Sequence, residues 1–247
     1  MAAPKTLDIV IPMAGHGSRF SKAGFQLPKP LIDVRGQPMI RRVIANLSPQ
    51  VDHRFIFLGL NGHLVNYGLA DKLCEWAGPQ SIIVPVKDVT EGAACTVLLA
   101  ERHLSANHDM LIANSDQLID GSLNEYVKWS RMPAYDGTMV VFEAEDEKWS
   151  FARLGPTGDV VEVAEKKRIS KLATAGLYYF RRGSDFVTAT RRMIGKNIRV
   201  NNEFYVCPVY NEMIAVGQRV VTWKISQAAM HGVGTPEDLE VYLKVAR

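Results

Sequence analysis

An apolar segment followed at once by a glycine-containing loop constrains the fold of this chain more than any other feature. Leu7–Met13 is almost unbroken in its apolar character, as expected for a strand covered on both faces. Ala14-Gly15-His16-Gly17-Ser18-Arg19 comes directly after it. Glycines there allow a sharp turn and a close approach of a ligand to backbone amides. Ligands of open α/β sheets bind at the carboxyl ends of the strands, so the segment predicts a site for a phosphate-bearing ligand.

The rest of the first half alternates short apolar runs with helical patterns. Three runs read as further buried strands: Phe55–Leu60, Ile82–Val86 and Met110–Ala113. Three segments with apolar residues at helical spacing lie between them: Pro38–Leu47, His63–Trp76 and Ala93–Leu104. Alternation of strands and helices at this spacing predicts a mainly parallel sheet with helices on both faces.

The second half has a different pattern, in which strands follow one another with short turns between them. The predicted strands are Thr138–Phe142, Phe151–Leu154, Val160–Val163 and Ala175–Phe180. They predict an antiparallel elaboration of the same sheet. A helix is predicted from Ser184, a strand over Val220–Ile225, and a closing helix after Thr235, with Pro236 at its first position. No linker-like stretch separates these elements, so we expect one domain over residues 1–247.

Composition narrows the class of protein. The chain has 247 residues and a net charge of +3 from 29 basic and 26 acidic side chains, a balance that does not favour nucleic-acid binding. No apolar run reaches the roughly 18 residues of a membrane span, and the first residues lack a signal-peptide pattern. Cys74, Cys95 and Cys207 are widely spaced, which suits reduced thiols. We therefore expect a cytoplasmic protein without nucleic-acid or membrane partners.

The glycine loop differs from two common phosphate-binding loops. A dinucleotide fingerprint requires a third small residue where Phe20 stands and a helix that begins at once. A Walker A loop requires a closing Gly-Lys-Ser/Thr, which is absent. The cations here are Arg19, inside the loop, and Lys29, between Pro28 and Pro30. An arginine fork and a lysine point charge beside backbone amides suit a polyphosphate.

These residues resemble a known family, the nucleotidyltransferases that activate phosphorylated sugars and alcohols. Its first motif is matched by residues 13–20, and its Pro-Lys-Pro element by residues 28–30. Later family elements appear in the same order: Thr90-Glu91-Gly92, Asn114-Ser115-Asp116, Glu165-Lys166, Ala173-Thr174-Ala175-Gly176 and Gly234-Thr235-Pro236-Glu237-Asp238-Leu239. The resemblance implies a three-layer α/β/α, Rossmann-like fold of the GT-A type.

The resemblance also implies a role for each matching residue. Arg19 and Lys29 would be catalytic, and Asp116 would bind Mg²⁺. The implied nucleotide-binding residues are Ala14, Gly15, Gly17, Ser18, Thr90 and Gly92. The implied acceptor-binding residues are Glu165 and Lys166, and the polar, aromatic composition of residues 201–205 adds Glu203 as a candidate. The partners would then be a nucleoside triphosphate and a small phosphorylated acceptor.

Two positions depart from the family pattern. A second metal-binding Asp is common two residues before the closing Gly-Thr-Pro, where this chain has Gly232, and the Asn of Ala-Asn-x-Gly is Thr174. Glu203 and His231 are alternative sources of a second ligand. The missing Asp and the compact length resemble capsule-type members, some of which use CTP.

The resemblance therefore favours transfer of a nucleotidyl group from a nucleoside triphosphate, with CTP preferred, to a sugar 1-phosphate or a phosphorylated alcohol, amide or amine. Its implied products are pyrophosphate and a precursor for surface polysaccharide. Two alternatives stay open: a GT-A glycosyltransferase that uses a finished sugar nucleotide, and a non-catalytic nucleotide-binding module. The resemblance also leaves room for a homo-oligomer.

Overall fold

A mixed sheet forms the centre of the computed structural model, which describes residues 6–245. Its strands are β1 (Leu7–Met13), β2 (His53–Leu60), β3 (Ile82–Val86), β4 (Asp109–Ala113), β6 (Gly137–Glu143), β7 (Ser150–Leu154), β8 (Val160–Glu165), β9 (Leu172–Phe180) and β10 (Val220–Lys224). Two short strands, β5 (Gln117–Ile119) and β11 (Met230–Gly232), form a separate antiparallel ribbon.

The strand order across the sheet is β10-β6-β9-β4-β1-β2-β3. The pairs β1–β2, β1–β4, β2–β3 and β6–β10 are parallel, whereas β9 runs antiparallel to both of its neighbours, β4 and β6. A β7–β8 hairpin joins the sheet through β9. The expected antiparallel elaboration of a mainly parallel sheet is thus confirmed.

Helices cover both faces of this sheet. They are α1 (Ser18–Lys22), α2 (Met39–Asn46), α3 (Asn61–Asn66), α4 (Leu69–Ala77), α5 (Ala93–Leu98), α6 (Leu123–Ser130), α7 (Gly183–Gly195), α8 (Val209–Ile214) and α9 (Pro236–Val245). Along β1, Val10 packs into one apolar core with residues of α5, α7 and α8, while Ile9 and Ile11 pack into another with residues of α2, α4 and α6. This alternation of side chains is what a strand buried on both faces requires, and it confirms the three-layer fold.

Two helix predictions were wrong in their extent. The segment predicted as one helix over His63–Trp76 forms α3 and α4, separated at Gly68, whose φ of 57° is left-handed and ends helical geometry. The helix predicted over Ala93–Leu104 ends at Leu98 and is followed by a 3₁₀ turn, Glu101–His103. Helical spacing of apolar residues continues through such breaks, which is why periodicity alone did not reveal them.

The sequence did not predict β5, β11, α1, α6 or α8, which are all short. α1 begins at Ser18, so a helix does follow the glycine loop at once, contrary to the expectation that set this loop apart from a dinucleotide fingerprint. The closing helix is as expected, because the backbone N–H of Asp238 donates to Thr235 Oγ1 at 3.1 Å at the start of α9. Among residues 6–245, no helix combines the length and the apolar character needed to cross a bilayer.

Candidate active site

A cavity of about 460 Å³ opens where the loops after β1, β3 and β4 meet the β7–β8 hairpin. All of the predicted site residues line it except Ser18, which begins α1. The residues expected to hold a nucleotide and those expected to hold an acceptor therefore share one opening. Its volume lies within the range of small-molecule sites.

The glycine loop and the Pro-Lys-Pro element pack directly on each other. Gly17 has a left-handed φ of 63°, and a Cβ added there would lie 3.0 Å from Lys29 Cβ. Lys29 begins a short 3₁₀ turn, Lys29–Leu31, between two prolines, so its backbone has little freedom. Its ammonium group contacts Asp116 Oδ2 inside the cavity. The lysine side chain is thus held toward the ligand space.

Asp116 follows β4 and faces the same space. Its main-chain carbonyl accepts a 2.9 Å hydrogen bond from Val233 N, and a Cβ added to Gly234 would lie 3.0 Å from Asp116 Cγ. The side chain keeps about a quarter of its surface exposed, 24%. An accessible carboxylate of this kind fits Mg²⁺, which takes one or two protein carboxylates together with substrate phosphates. Among residues 6–245, no group of three or more acidic, His or Cys side chains could hold a metal ion.

Gly232 and His231 do not add a ligand beside Asp116. The nearest neighbours of a Cβ added at Gly232 all belong to Asp238, with Oδ2 at 3.7 Å. His231 Nε2 lies 2.8 Å from Asp120 Oδ2, and its ring packs on Tyr242. Both residues line a second cavity. His231, one of the two alternative metal ligands, therefore does not face the cavity beside Asp116.

Glu165 also lines the main cavity, and only 9% of its surface is exposed. It pairs with Ser150 across the β7–β8 hairpin, and the Ser150 hydroxyl donates a hydrogen bond to its carboxylate. Burial raises the pKa of Glu165, partly offset by the Ser150 hydrogen bond and the charge of Lys166. A carboxylate held this way can accept a hydrogen bond from a ligand at low reorganisation cost.

Lys166 and Tyr205 form a pair beside Glu165. The Lys166 ammonium donates to Tyr205 Oη at 2.5 Å and lies 4.6 Å from the ring centroid. Burial, followed by a hydrogen bond to Glu203, raises the pKa of Tyr205, so its phenol stays protonated. Lys166 has a left-handed φ of 50°, unusual for a residue with a side chain. Backbone strain of this kind is typical of ligand sites.

Thr90 and Gly92 also line the cavity. Thr90 Oγ1 lies 2.6 Å from Thr96 Oγ1 and 2.9 Å from the Gly92 carbonyl oxygen. Gly92 has a φ of 125°, and a Cβ there would lie 2.5 Å from Phe204 N. Only glycine permits this close packing.

The sequence did not identify several residues that also line the cavity: Lys148, Trp149, Ser150, Tyr178 and Cys207. Burial raises the pKa of the Cys207 thiol, which favours the protonated, unreactive form. Trp149 packs edge-to-face on Phe142. No local pattern marks these residues. Strand pairing brings Ser150 of β7 and Tyr178 of β9 to the cavity, and the turn before β7 and the loop before α8 bring the others.

Comparison with known proteins assigns the chain to a family. A family model described as nucleotidyl transferase matches residues 9–204. The chain belongs to the nucleotidyl transferase family. This confirms the family that the motifs of the first half indicated, and the same residue range includes the glycine loop, Lys29, Asp116, Glu165 and Lys166.

Three relatives show how far the similarity extends. The chain is 27% identical over 233 residues to the bifunctional protein GlmU of Desulfotalea psychrophila, covering 89% of this chain and 64% of that protein. It is 24% identical over 182 residues to GlmU of Methanococcus vannielii, covering 70% of this chain and 40% of that protein. The chain thus spans less than two thirds of the length of either relative. A nucleoside-diphosphate-sugar pyrophosphorylase from Vibrio cholerae superimposes with a TM-score of 0.82 at 27% identity, covering 96% of this chain and 99% of that one.

Proposed function

We propose that this protein transfers a nucleotidyl group from a nucleoside triphosphate to a small phosphorylated acceptor, a sugar 1-phosphate in the first instance, and releases pyrophosphate. The single observation that carries the proposal is that one cavity is lined by two groups of charged side chains, each with a cation. The group at the proposed triphosphate end is Arg19 and Lys29 beside the glycine-loop backbone, and the group at the proposed acceptor end is Glu165, Lys166 and Glu203. The cations in both groups suit two anionic substrates that must meet.

The proposed chemistry is one displacement at phosphorus. An oxygen of the acceptor phosphate attacks the α-phosphorus of the triphosphate. The bond from that phosphorus to the oxygen bridging to the β-phosphate breaks, and pyrophosphate leaves with the electron pair. The attacking oxygen is already anionic near neutral pH, because the second pKa of a phosphate monoester is about 6. No general base is therefore needed, and positioning and charge stabilisation remain as the protein's tasks.

Lys29 is the residue best placed to stabilise charge at the triphosphate. Its ammonium lies in the cavity beside the glycine loop and is held there by Asp116. We propose that it turns to the phosphates once they are bound, and that Arg19 contacts them from the first turn of α1. A Mg²⁺ ion bound to Asp116 would neutralise phosphate charge in the complex. Two cations and loop amides together offset the repulsion between the substrates.

At the acceptor end, Lys166 is proposed to bind the acceptor phosphate and Glu165 its hydroxyl groups. The ammonium of Lys166 stands within hydrogen-bonding distance of Tyr205 and beside the buried carboxylate of Glu165. The similarity to a nucleoside-diphosphate-sugar pyrophosphorylase supports a sugar 1-phosphate as acceptor. The product would be a sugar nucleotide, a precursor for surface polysaccharide.

Release of pyrophosphate is the measurement that tests this proposal. The protein is mixed with Mg²⁺, each of the four common nucleoside triphosphates and a panel of sugar 1-phosphates and phosphorylated alcohols. The resemblance favours CTP as the donor. We expect pyrophosphate to appear for at least one pair and to depend on both substrates.

Two other outcomes would contradict the proposal. Release of a nucleoside diphosphate from a sugar nucleotide, without pyrophosphate, would identify a glycosyltransferase. Tight binding of a triphosphate without turnover across the whole panel would identify a nucleotide-binding module.

A further inference from the structure

A short hairpin over residues 199–205 connects the two ends of the cavity. Val200 and Glu203 form an antiparallel bridge, with N–H to carbonyl hydrogen bonds of 3.0 and 2.9 Å. Asn201 and Asn202 between them have left-handed φ angles of 49° and 62°. Positive φ at both central residues defines the tight turn that joins twisted strands, and Asn tolerates it well. The hairpin therefore has a definite geometry, and it carries Glu203 and Tyr205 into the cavity.

The backbone of the hairpin is hydrogen-bonded to residues 90–94, which are the end of a loop and the start of α5 and are called the 90–94 loop below. Phe204 N donates to the Glu91 carbonyl at 2.7 Å, and Ala94 N donates to the Phe204 carbonyl at 3.0 Å. The missing side chain of Gly92 allows this contact, since a Cβ there would overlap the Phe204 backbone. Phe204 itself is fully buried, at 0% exposure. A displacement of the 90–94 loop would therefore be transmitted to the hairpin.

Arg199 reinforces the junction with its side chain. Its guanidinium donates to Glu91 Oε2 at 3.2 Å and to Asn197 Oδ1 at 2.6 Å. It also donates to the Asn202 carbonyl at 3.5 Å and lies 4.2 Å from the centroid of the Phe204 ring. One side chain thus contacts the 90–94 loop, the turn of the hairpin and the aromatic residue between them.

Arg199 and Glu91 act from outside the cavity. The described residues that line it include Thr90 and Gly92 on one side and Glu203 and Tyr205 on the other, but neither member of this ion pair. A guanidinium that is 29% exposed and joined to a carboxylate that is 64% exposed adds little to stability by itself. Three of its four contacts, to Glu91, Asn202 and Phe204, are instead with the two segments that carry cavity residues.

We propose that Arg199 is a positioning residue that couples nucleotide binding to the acceptor end of the cavity. This inference rests on the proposed function, because it takes the 90–94 loop as nucleotide-binding and the hairpin as acceptor-binding. When the nucleotide orders the 90–94 loop, Arg199 and the Phe204 backbone hold the hairpin in the same arrangement. Glu203 and Tyr205 are then fixed before the acceptor arrives, which lowers the cost of binding it.

Hydrogen exchange measured by mass spectrometry tests this coupling without knowledge of the acceptor. The probe is α,β-methylene-CTP with Mg²⁺, added to the whole protein. In the wild type we expect exchange to slow by at least about fivefold in peptides covering both the 90–94 loop and the hairpin. In Arg199→Met we expect the slowing to persist in the 90–94 loop and to be clearly smaller in the hairpin, which then keeps only the Phe204 backbone hydrogen bonds. Glu91→Gln, which weakens the same contact from the other side, should give the same result.

A matched control is available on α7. Arg191 donates to Glu101 Oε2 at 2.7 Å in another exposed Arg–Glu pair. Arg191→Met should leave the slowing of exchange in both the 90–94 loop and the hairpin as in the wild type. A merely structural role for Arg199 would speed hairpin exchange without ligand but preserve the slowing on ligand addition. Slowing of the hairpin to the wild-type extent in both Arg199→Met and Glu91→Gln would overturn the inference. Absence of slowing in the wild-type 90–94 loop, with CTP and with the other three triphosphates, would instead overturn the proposed function.

Kinetics provide a second measurement, with the sugar 1-phosphate that supports pyrophosphate release in the wild type. Arg199→Met should raise the KM for that acceptor about tenfold and change the KM for the triphosphate and kcat by less than about threefold. The Glu91→Gln, Arg199→Met double variant should be no worse than Arg199→Met alone, because the Arg199 substitution already removes the contact with Glu91. Equal increases in both KM values, or additive effects, would contradict the coupling.

Discussion

Charged pairs of the same chemistry lie at opposite ends of the central sheet, in contrasting surroundings. At the amino ends of β1 and β2, Asp8 is 1% exposed and accepts hydrogen bonds from Arg54 at 2.7 and 3.3 Å, and it lies 2.8 Å from His108 Nδ1. At the carboxyl ends, Asp116 is 24% exposed and pairs with Lys29 in an open cavity.

The different surroundings of the two pairs indicate which pair is structural and which is available to a ligand. The carboxylate oxygens of Asp8 are occupied by Arg54 of β2 and by Ser105 and His108 of the loop before β4. They have little to offer a ligand, and the group is structural. Asp116 and Lys29 face a space large enough for a substrate. Lys29 could release Asp116 and bind a phosphate, and Asp116 could then bind a metal ion. We therefore expect substitutions at the amino end to change stability and those at the carboxyl end to change turnover.

The largest effect is expected at Lys29. Lys29→Ala should lower kcat about 10³-fold, because the lost cation stabilises charge that develops in the transition state. Melting temperature should stay close to that of the wild type. Lys167→Ala, which removes an exposed lysine one residue beyond Lys166, is the matched control and should change kcat by less than about twofold. Equal, small effects of both substitutions on pyrophosphate release would refute the role of Lys29.

At the other end of the sheet, Asp8→Ala should lower the free energy of unfolding by about 3 kcal/mol. Loss of one member of a buried pair costs about 3–5 kcal/mol, and the lower value applies because Arg54 keeps 24% of its side chain exposed. Denaturant titration measures the change. The folded protein should retain its kcat, and a loss of turnover without a loss of stability would invalidate the contrast between the two ends.

Asp116→Asn is expected to have a smaller effect on turnover than Lys29→Ala. The amide keeps an oxygen in place but loses the charge that favours Mg²⁺, so kcat at fixed Mg²⁺ should fall about 10²-fold. Raising the Mg²⁺ concentration should restore part of the activity. Titration of pyrophosphate release with Mg²⁺ measures this, and an unchanged Mg²⁺ dependence would argue against Asp116 as the ligand.

The smallest effect is expected at Glu165, and it depends on pH. Because burial raises its pKa in the folded protein above the ordinary value of 4.5, the folded state binds the proton more tightly, and this contribution to stability is lost as pH rises. Glu165→Gln removes the titration and keeps an acceptor for Ser150. We expect a higher melting temperature than that of the wild type at pH 7.5 and no gain near pH 4.

Glu165→Gln should also weaken acceptor binding, since a carboxylate accepts stronger hydrogen bonds from hydroxyl groups than an amide does. Melting curves at several pH values, together with the acceptor KM, separate the two effects. A stabilisation that is equally large at pH 4 and pH 7.5 would show that ionisation of Glu165 is not its source.

Much of the proposed phosphate-binding end of the cavity could be predicted because its signals are local. The apolar run of Leu7–Met13 predicted β1 with its observed bounds. The glycine at position 17 and the prolines around Lys29 restrict the backbone within a few residues. Their spacing also carried the family resemblance, which identified Asp116.

The proposed acceptor end of the cavity could be predicted only in part. The motif pointed to Glu165 and Lys166, but Ser150 and Tyr205 reach them through strand pairing and through the hairpin after α7. Trp149, Tyr178 and Cys207 join the cavity for the same reason. Nothing in the residues adjacent to these positions differs from an ordinary strand or loop.

By itself, the sequence determined the fold class, the position of the glycine loop and the family, because hydrophobic periodicity and the backbone preferences of glycine and proline act over a few residues. Tertiary structure alone decided that Lys29 meets Asp116 across 87 positions of chain, that Gly232 faces Asp238 and that Arg199 bridges the 90–94 loop and the hairpin. These contacts depend on strand register and helix packing, which place distant residues within a few ångströms and leave no periodic trace in the sequence.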